Sequence, residues 1–312
     1  MVKPRIIFMG TPPFALPALE TLGNGNYAVA AVVTQPDRPA GRGRRDASPP
    51  VKQLAVKLGL EVLQPVKVRD ASFLEEFYQL NPDMVVVAAF GQILPKEIID
   101  FPRFGCLNIH PSLLPKYRGA APLNWSIIRG ETKTGVTIML MDEGMDSGDI
   151  IIQEETPLGE HETFGELHDR LAIMGAKLLV KAIDQVIRGQ AVRQKQDPAG
   201  VTFAPRLTKE TARINWHAQS RDIFNLIRGL SPSPAAYTTL DGQELKIFSA
   251  EMMPASHPAP PGTVAAAVAA GLPVAACDGY LIIREVQPAG KKRMPVADFL
   301  RGRRLEPGKV LG

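Results

Sequence analysis

The feature that most constrains this chain is the run Met84-Val-Val-Val-Ala-Ala89, apolar throughout and closed by Asp83 before it and Gly91 shortly after it. A strand with one wet face alternates apolar and polar residues, so an unbroken β-branched run reads as a strand covered on both faces. Parallel sheets with helical crossovers produce that burial. The flanking segments agree: Arg5–Met9 and Tyr27–Val33 read as strands, and Phe14–Leu22, Val51–Leu58 and Asp70–Leu80 carry helical spacing. The expected fold class is therefore α/β, a mostly parallel, doubly wound sheet of Rossmann-like type whose ligands gather beyond the carboxyl ends of the strands. Phe104–Ile109 and Val136–Met141 extend the sheet, Ile150–Glu154 returns as a hairpin through Asp142–Asp149, and Phe164–Ile187 is the long amphipathic helix that closes the domain.

A second pattern begins beyond residue 206. With 312 residues the chain has the length of about two domains. We expect residues 1–189 to form the α/β domain, 190–206 a polar linker with Pro198, Gly200 and Pro205, and 207–312 a small β-barrel. The barrel expectation rests on one helix, Ser220–Leu230, and the short strand-like runs Ala236–Thr239, Glu244–Ser249, Gly262–Ala266, Val274–Cys277 and Tyr280–Gln287. Charge divides at the same place: residues 1–206 hold 23 basic and 23 acidic side chains, 207–312 hold 13 and 9. A basic module beside a neutral one fits a polyanionic partner, although solubility alone explains a net charge of +4 equally well.

Several classes drop out. At 45% hydrophobic and 22% charged residues the chain is ordinary globular material. Cys106 and Cys277 stand far apart without CxxC or Cys/His spacing, which argues against a disulfide scaffold and a zinc site and favours a reducing compartment. The apolar run Ile6–Met9 ends at Gly10 and Pro12, too short for a signal-peptide core, and Gly262–Cys277 falls short of a bilayer span. A cytoplasmic location away from membranes is expected.

Four segments carry chemistry. Gly10-Thr-Pro-Pro13 lacks the later glycines of a dinucleotide loop, so Gly10 is read as the strand-to-helix turn and a nicotinamide cofactor is not expected. Asn108 and His110, two apart at a strand end, share a face and can converge on a carbonyl oxygen that gains charge in acyl transfer. Spacing alone leaves a loop-capping amide and a satisfied core histidine equally open. Asp142–Asp149 holds four carboxylates but misses calcium-loop spacing; one of them set beside His110 would complete an acid–base pair, the others being a solvated turn. Arg38, Arg42, Arg44 and Arg45 lie among glycines and prolines, a loop able to reach a phosphate backbone. Lys291, Lys292, Arg293, Arg301, Arg303 and Arg304 form a second basic cluster.

Asn108–Pro115, continuing through Lys116-Tyr-Arg-Gly-Ala-Ala-Pro122, together with Gly135–Ile151, resembles the folate-dependent formyltransferases, which share Asn-x-His, a Ser-Leu-Leu-Pro loop and a later aspartate. Within them, Thr34–Gly43 and Arg206–Trp216 are similar to the branch that formylates methionyl-tRNA. The resemblance implies a Rossmann-like formyltransferase domain, a C-terminal barrel similar to an OB fold, 10-formyltetrahydrofolate as formyl donor, and the α-amino group of methionyl initiator tRNA as acceptor. It implies Asn108, His110 and Asp146 as the catalytic trio and Ser112, Leu113, Leu114 and Pro115 as a folate-binding loop, with Arg42 probing the acceptor end. We further expect a pteridine slot near Phe90, Gly91 and Ile93, and tRNA contacts from Arg38, Arg42, Arg44, Arg45, Lys291, Lys292 and Arg293. Asp146 is expected to orient His110 and to relay the amine proton. No metal is expected, and a monomer is. Met145, Ser147 and Asn215 depart from the pattern without touching the trio. A formyltransferase for a small amine would leave the arginine loop and the barrel idle, and a non-catalytic RNA-binding protein would not need the trio.

Overall fold

The computed structural model describes residues 3–25, 27–40, 45–303 and 305–312. Its packing divides into two units: 1–119, 134–157 and 168–203 form the first, and 120–133, 158–167 and 204–312 the second. The first holds a seven-stranded sheet. In chain order its elements are β1 (Arg5–Gly10), α1 (Leu16–Asn24), β2 (Ala28–Val33), the short β3 (Arg38–Ala40) and β4 (Arg45–Ala47), α2 (Pro50–Lys57) and β5 (Val62–Leu63). There follow α3 (Ala71–Leu80), β6 (Met84–Ala88), α4 (Lys96–Ile99), β7 (Cys106–His110), α5 (Pro122–Ile128), β8 (Lys133–Leu140), β9 (Ile150–Pro157) and α6 (Phe164–Ile187), of which α5 and the first turn of α6 fall in the second unit.

The strand order β5-β2-β1-β6-β7-β8-β9 puts β6 near the middle, which is why its run tolerates no polar residue. Strands β5, β2, β1, β6 and β7 are parallel, and β8 runs antiparallel to β7. Side chains alternate across each strand. One face presents Ile7, Met9, Val85, Val87 and Cys106 to α3, α4 and the chain around Phe90–Leu94. The other face meets α6 so closely that a Cβ on Gly175 would lie 2.8 Å from Ile109. Gly10 is explained the same way, because its Cβ would stand 2.8 Å from that of Ala15 and 3.0 Å from the Ala88 carbonyl. The residue permits close packing at the strand end.

The second unit contains α7 (Ser220–Leu230), β10 (Ala236–Leu240), β11 (Gln243–Pro254), β12 (Leu272–Ala275), β13 (Gly279–Pro288), β14 (Met294–Pro295) and α8 (Val296–Gly302). Its antiparallel order β10-β11-β13-β12 leaves two free edges. Two irregular segments join them: residues 262–265 bond to β12, residues 308–311 bond to 262–264, and Gly312 exchanges hydrogen bonds with Thr239 of β10. The sheet is thereby closed on itself, which removes the exposed edges that invite aggregation. Trp216, Phe224, Ile247 and Leu281 are among its core, and the Trp216 indole N–H donates to Thr238 Oγ1 at 3.0 Å.

Where the sequence expectation set 1–189 against 207–312, packing assigns α5 and 158–167 to the C-terminal unit. The reason is a close helix contact: the Asn124 amide donates to the Gly229 carbonyl at 2.8 Å, and Gly229 has Ile127 and Ile128 where a Cβ would be. The expected linker is equally ordered. Gln194 pairs with Ile150, Phe203 bridges Arg118, and Gln196 is buried.

Candidate active site

Asn108 and His110 occupy β7 on the face turned toward α4 and the 90–94 segment, opposite Met139 and Thr137 of β8. Both are buried, 8% and 4% exposed, yet they are bonded differently. The Asn108 amide has no side-chain hydrogen bond among the described residues, whereas His110 Nε2 lies 3.0 Å from the Tyr117 carbonyl oxygen. A carbonyl only accepts, so Nε2 carries a proton and Nδ1 is the ring atom left for chemistry. Nδ1 faces Asp146 Oδ2 at 3.7 Å, within electrostatic reach but too long for a hydrogen bond. The ring's hydrogen bond is thus to the Tyr117 carbonyl, and the carboxylate expected to orient it stands on the opposite side, beside Nδ1.

Asp146 has a left-handed backbone, φ +50°, which costs a non-glycine residue roughly 1–3 kcal/mol and persists only where surroundings enforce it. Three bonds enforce it here. Gly119 N–H donates to its Oδ2 at 2.8 Å, and the Gln196 amide donates to the carbonyls of Asp146 and Gly148, each at 2.8 Å. Gln196 is held in turn by Arg118, whose Nε and Nη2 donate to Oε1 at 3.0 and 2.7 Å.

The Ser112–Pro115 loop is built inward. Ser112 Oγ donates to the Lys116 carbonyl at 2.7 Å; Thr137 Oγ1 donates to the Ser112 carbonyl at 2.6 Å and accepts from Leu114 N at 3.2 Å. Leu114 packs with Met139 and Ile150, Leu113 lies under Gly135, and Pro115 abuts Gly200. Ser112 and Leu114 thus hold the course of the chain after His110 with side chains closed to a ligand.

The expected pteridine slot is divided. Phe90 is 2% exposed within the core, and its carbonyl already accepts from Thr11 Oγ1 at 2.9 Å and Gln35 Nε2 at 3.3 Å. Phe90 and Gly91 border a cleft of about 500 Å³ with Thr11, Gln35 and Arg38. Ile93, 91% exposed, borders a different cleft of about 390 Å³ with Leu94, Met139, Met141, Met145 and Asp146. Positive φ at Ala89 (+49°) and Gly91 (+86°) turns the chain sharply, sending residue 90 inward and residue 93 outward. Sequence reasoning missed Met139, Met141 and Met145 as cleft residues and Tyr117, Gly119 and Gln196 as supports; only the strand alternation of Met139 with Thr137 could have flagged one of them.

The basic residues divide as well. Arg38 is exposed on β3; Arg42 and Arg44 lie outside the described residues, as does the side chain of Arg45. Arg293 is neutralised by Glu285, its Nε donating to Oε1 at 2.6 Å, and it stacks over Phe248 at 4.5 Å. Arg301 pairs with Asp298, and Arg303 and Lys309 share Asp241. Lys291 and Lys292 are exposed and have no ion pair among the described residues. Among the described residues no group of three or more His, Cys, Asp or Glu side chains could hold a metal ion, and no helix is long and apolar enough to cross a membrane.

An imidazole 3.7 Å from a carboxylate, with an amide two residues back on the same strand face, has the chemistry that acyl transfer to an amine can use, and comparison places the chain in a family. Residues 4–183 match the formyl transferase family and 206–304 the formyl transferase C-terminal domain, so the chain belongs to the formyl transferases. Its full-length relatives carry a narrower name. It is 54% identical to the methionyl-tRNA formyltransferase of Syntrophus aciditrophicus (strain SB) over 312 residues, all of both chains. It is 48% identical to that of Bacillus subtilis (strain 168), over 99% of this chain and 98% of the other. Among solved structures, an N-formyltransferase from Helicobacter canadensis shares the fold at TM-score 0.68 and 21% identity, over 92% of this chain and 100% of that one.

Proposed function

We propose that this chain is the enzyme that moves the formyl group of 10-formyltetrahydrofolate to the α-amino group of methionyl initiator tRNA, a one-carbon transfer that serves translation initiation. The observation that carries this reading is the end-to-end 54% identity, both units included, to a relative of that name.

The chain's own groups divide the work. The Asn108 amide, free of protein partners among the described residues, donates to the formyl oxygen as it becomes an oxyanion, where one such donor is worth about 10²–10³ in rate. The neutral amine attacks the formyl carbon and a C–N bond forms. His110 Nδ1 takes the amine proton, with Asp146 at 3.7 Å as counter-charge, and returns it to N10 of the folate as the old C–N bond breaks. Atoms and charges balance without a covalent enzyme intermediate. The cleft of about 390 Å³ would hold the folate, with Ile93, Leu94, Met139 and Met141 supplying its apolar lining and Asp146 a carboxylate at its edge. The Ser112–Pro115 loop acts by fixing β7's end.

Residues 1–189 supply the chemistry and 207–312 tRNA affinity through backbone contact, joined by 190–206. Arg38, Arg42, Arg44 and Arg45 address the acceptor end, and Lys291 and Lys292 the phosphates, with a smaller share from the paired Arg293. The enzyme works as a cytoplasmic monomer. Purified protein supplied with 10-formyltetrahydrofolate should formylate methionyl initiator tRNA and leave elongator methionyl-tRNA almost untouched. Transfer to small free amines with none to methionyl-tRNA would overturn the reading.

A further inference from the structure

We propose that Gln196, from the stretch that reads as a linker, is a positioning residue for the reaction, acting through Asp146. This rests on the reading above. Every polar atom of its side chain is committed. Oε1 accepts twice from Arg118, at 3.0 and 2.7 Å, and Nε2 donates to the carbonyls of Asp146 and Gly148, both at 2.8 Å. The guanidinium offers only donors and the carbonyls only acceptors, so one amide orientation satisfies the site. No carboxylate or ammonium can replace it. A carboxylate would lose both donors and face two carbonyl oxygens, and an ammonium would face the guanidinium.

The carbonyl that Gln196 holds belongs to the residue whose backbone lies in the left-handed region, at φ +50°. Releasing it lets the 146–148 turn relax and carries Oδ2 away from Gly119 N and His110 Nδ1. The same stretch supports the histidine: Thr202 Oγ1 accepts from Tyr117 N at 2.9 Å and Thr202 O accepts from Arg118 N at 2.9 Å, fixing the carbonyl that receives the His110 Nε2 proton. Segment 196–202 thus sets both members of the proton-transfer pair.

The test uses Gln196→Glu, which keeps the Arg118 contact as an ion pair, and Gln196→Met, which keeps the volume. Each is made in the wild-type and Asp146→Ala backgrounds of the full chain and assayed with 10-formyltetrahydrofolate and methionyl initiator tRNA. The expected result is kcat lower by about tenfold to a hundredfold at nearly unchanged KM for folate. In the Asp146→Ala background the further loss should vanish, because the residue Gln196 acts through is already gone. Full kcat in either folded variant, an equal loss in both backgrounds, or failure of both variants to fold would each overturn the proposal. A wild-type enzyme inert toward methionyl-tRNA would instead overturn the functional reading, so the two failures are distinguishable.

Discussion

The site around His110 and the basic surfaces both rely on polar side chains, but they are built on opposite principles. Around the histidine, beyond its own bond to the nearby Tyr117 carbonyl, the supports come from far along the chain, as with Gln196 to Asp146 or Tyr117 to Thr202, and the groups are buried or half-buried. On the barrel surface the cations pair across exposed faces, as with Arg293 and Glu285 or Arg301 and Asp298. Buried polar networks hold one geometry because leaving a member unpaired costs about 1–3 kcal/mol, whereas an exposed pair is worth at most about 1 kcal/mol and yields readily to a competing phosphate. Fixed geometry and exchangeable ion pairing therefore reside in different places.

The comparison breaks most readily at the trio. His110→Ala or Asp146→Ala should lower kcat by roughly 10²–10⁴ while tRNA affinity, measured by filter binding, stays within a few-fold; a small loss at both positions would remove them from the chemistry. Next in size is the scaffold. Gly135→Ala places a Cβ 2.2 Å from the Glu154 carbonyl and 2.6 Å from Leu113, and it should cost about 1–3 kcal/mol in urea unfolding. Arg228→Met sharpens the contrast between buried and exposed cations. Burial depresses the pKa of this guanidinium, and it donates to the Gly159 and Glu162 carbonyls, each at 3.1 Å. Removing it should cost about 1–3 kcal/mol, against near-neutral stability for Arg301→Ala.

Smaller effects test the surfaces. Lys291→Ala with Lys292→Ala should lower the slope of log affinity against log salt for tRNA by roughly one for each phosphate no longer neutralised, and Arg293→Ala by less because Glu285 competes for it. Equal slopes for the three would mean that the ion pair does not persist. Smallest is a difference in thiol reactivity. Burial pushes the Cys106 thiol up to about 12, so at pH 8 it stays protonated and inert toward iodoacetamide, while exposed Cys277 reacts.

Periodicity made the sheet legible, since the β6 run and the Asn108/His110 alternation are local patterns. The long helix appears at Phe164–Ile187 and the barrel helix at Ser220–Leu230, where they were expected. α5 escaped notice because Pro-Leu-Asn-Trp-Ser-Ile-Ile is short and buried on most sides, leaving no polar face to reveal its period. The β3–β4 ladder hides in a stretch rich in arginine, proline and glycine. Gln196 could not be singled out at all: a polar residue between prolines and glycines looks like linker until the fold carries it 50 residues back to Asp146. The split of Phe90 from Ile93 was likewise invisible, because it depends on two positive φ angles that no apolar pattern encodes.

The most direct test of the central claim is single-turnover formyl transfer from saturating 10-formyltetrahydrofolate to methionyl initiator tRNA by Asn108→Ala. A drop of about 10²–10³ in the transfer rate, with folate affinity held within about twofold, is the result expected of an amide that acts only on the developing oxyanion. An unchanged rate, or a loss confined to folate affinity, would contradict it.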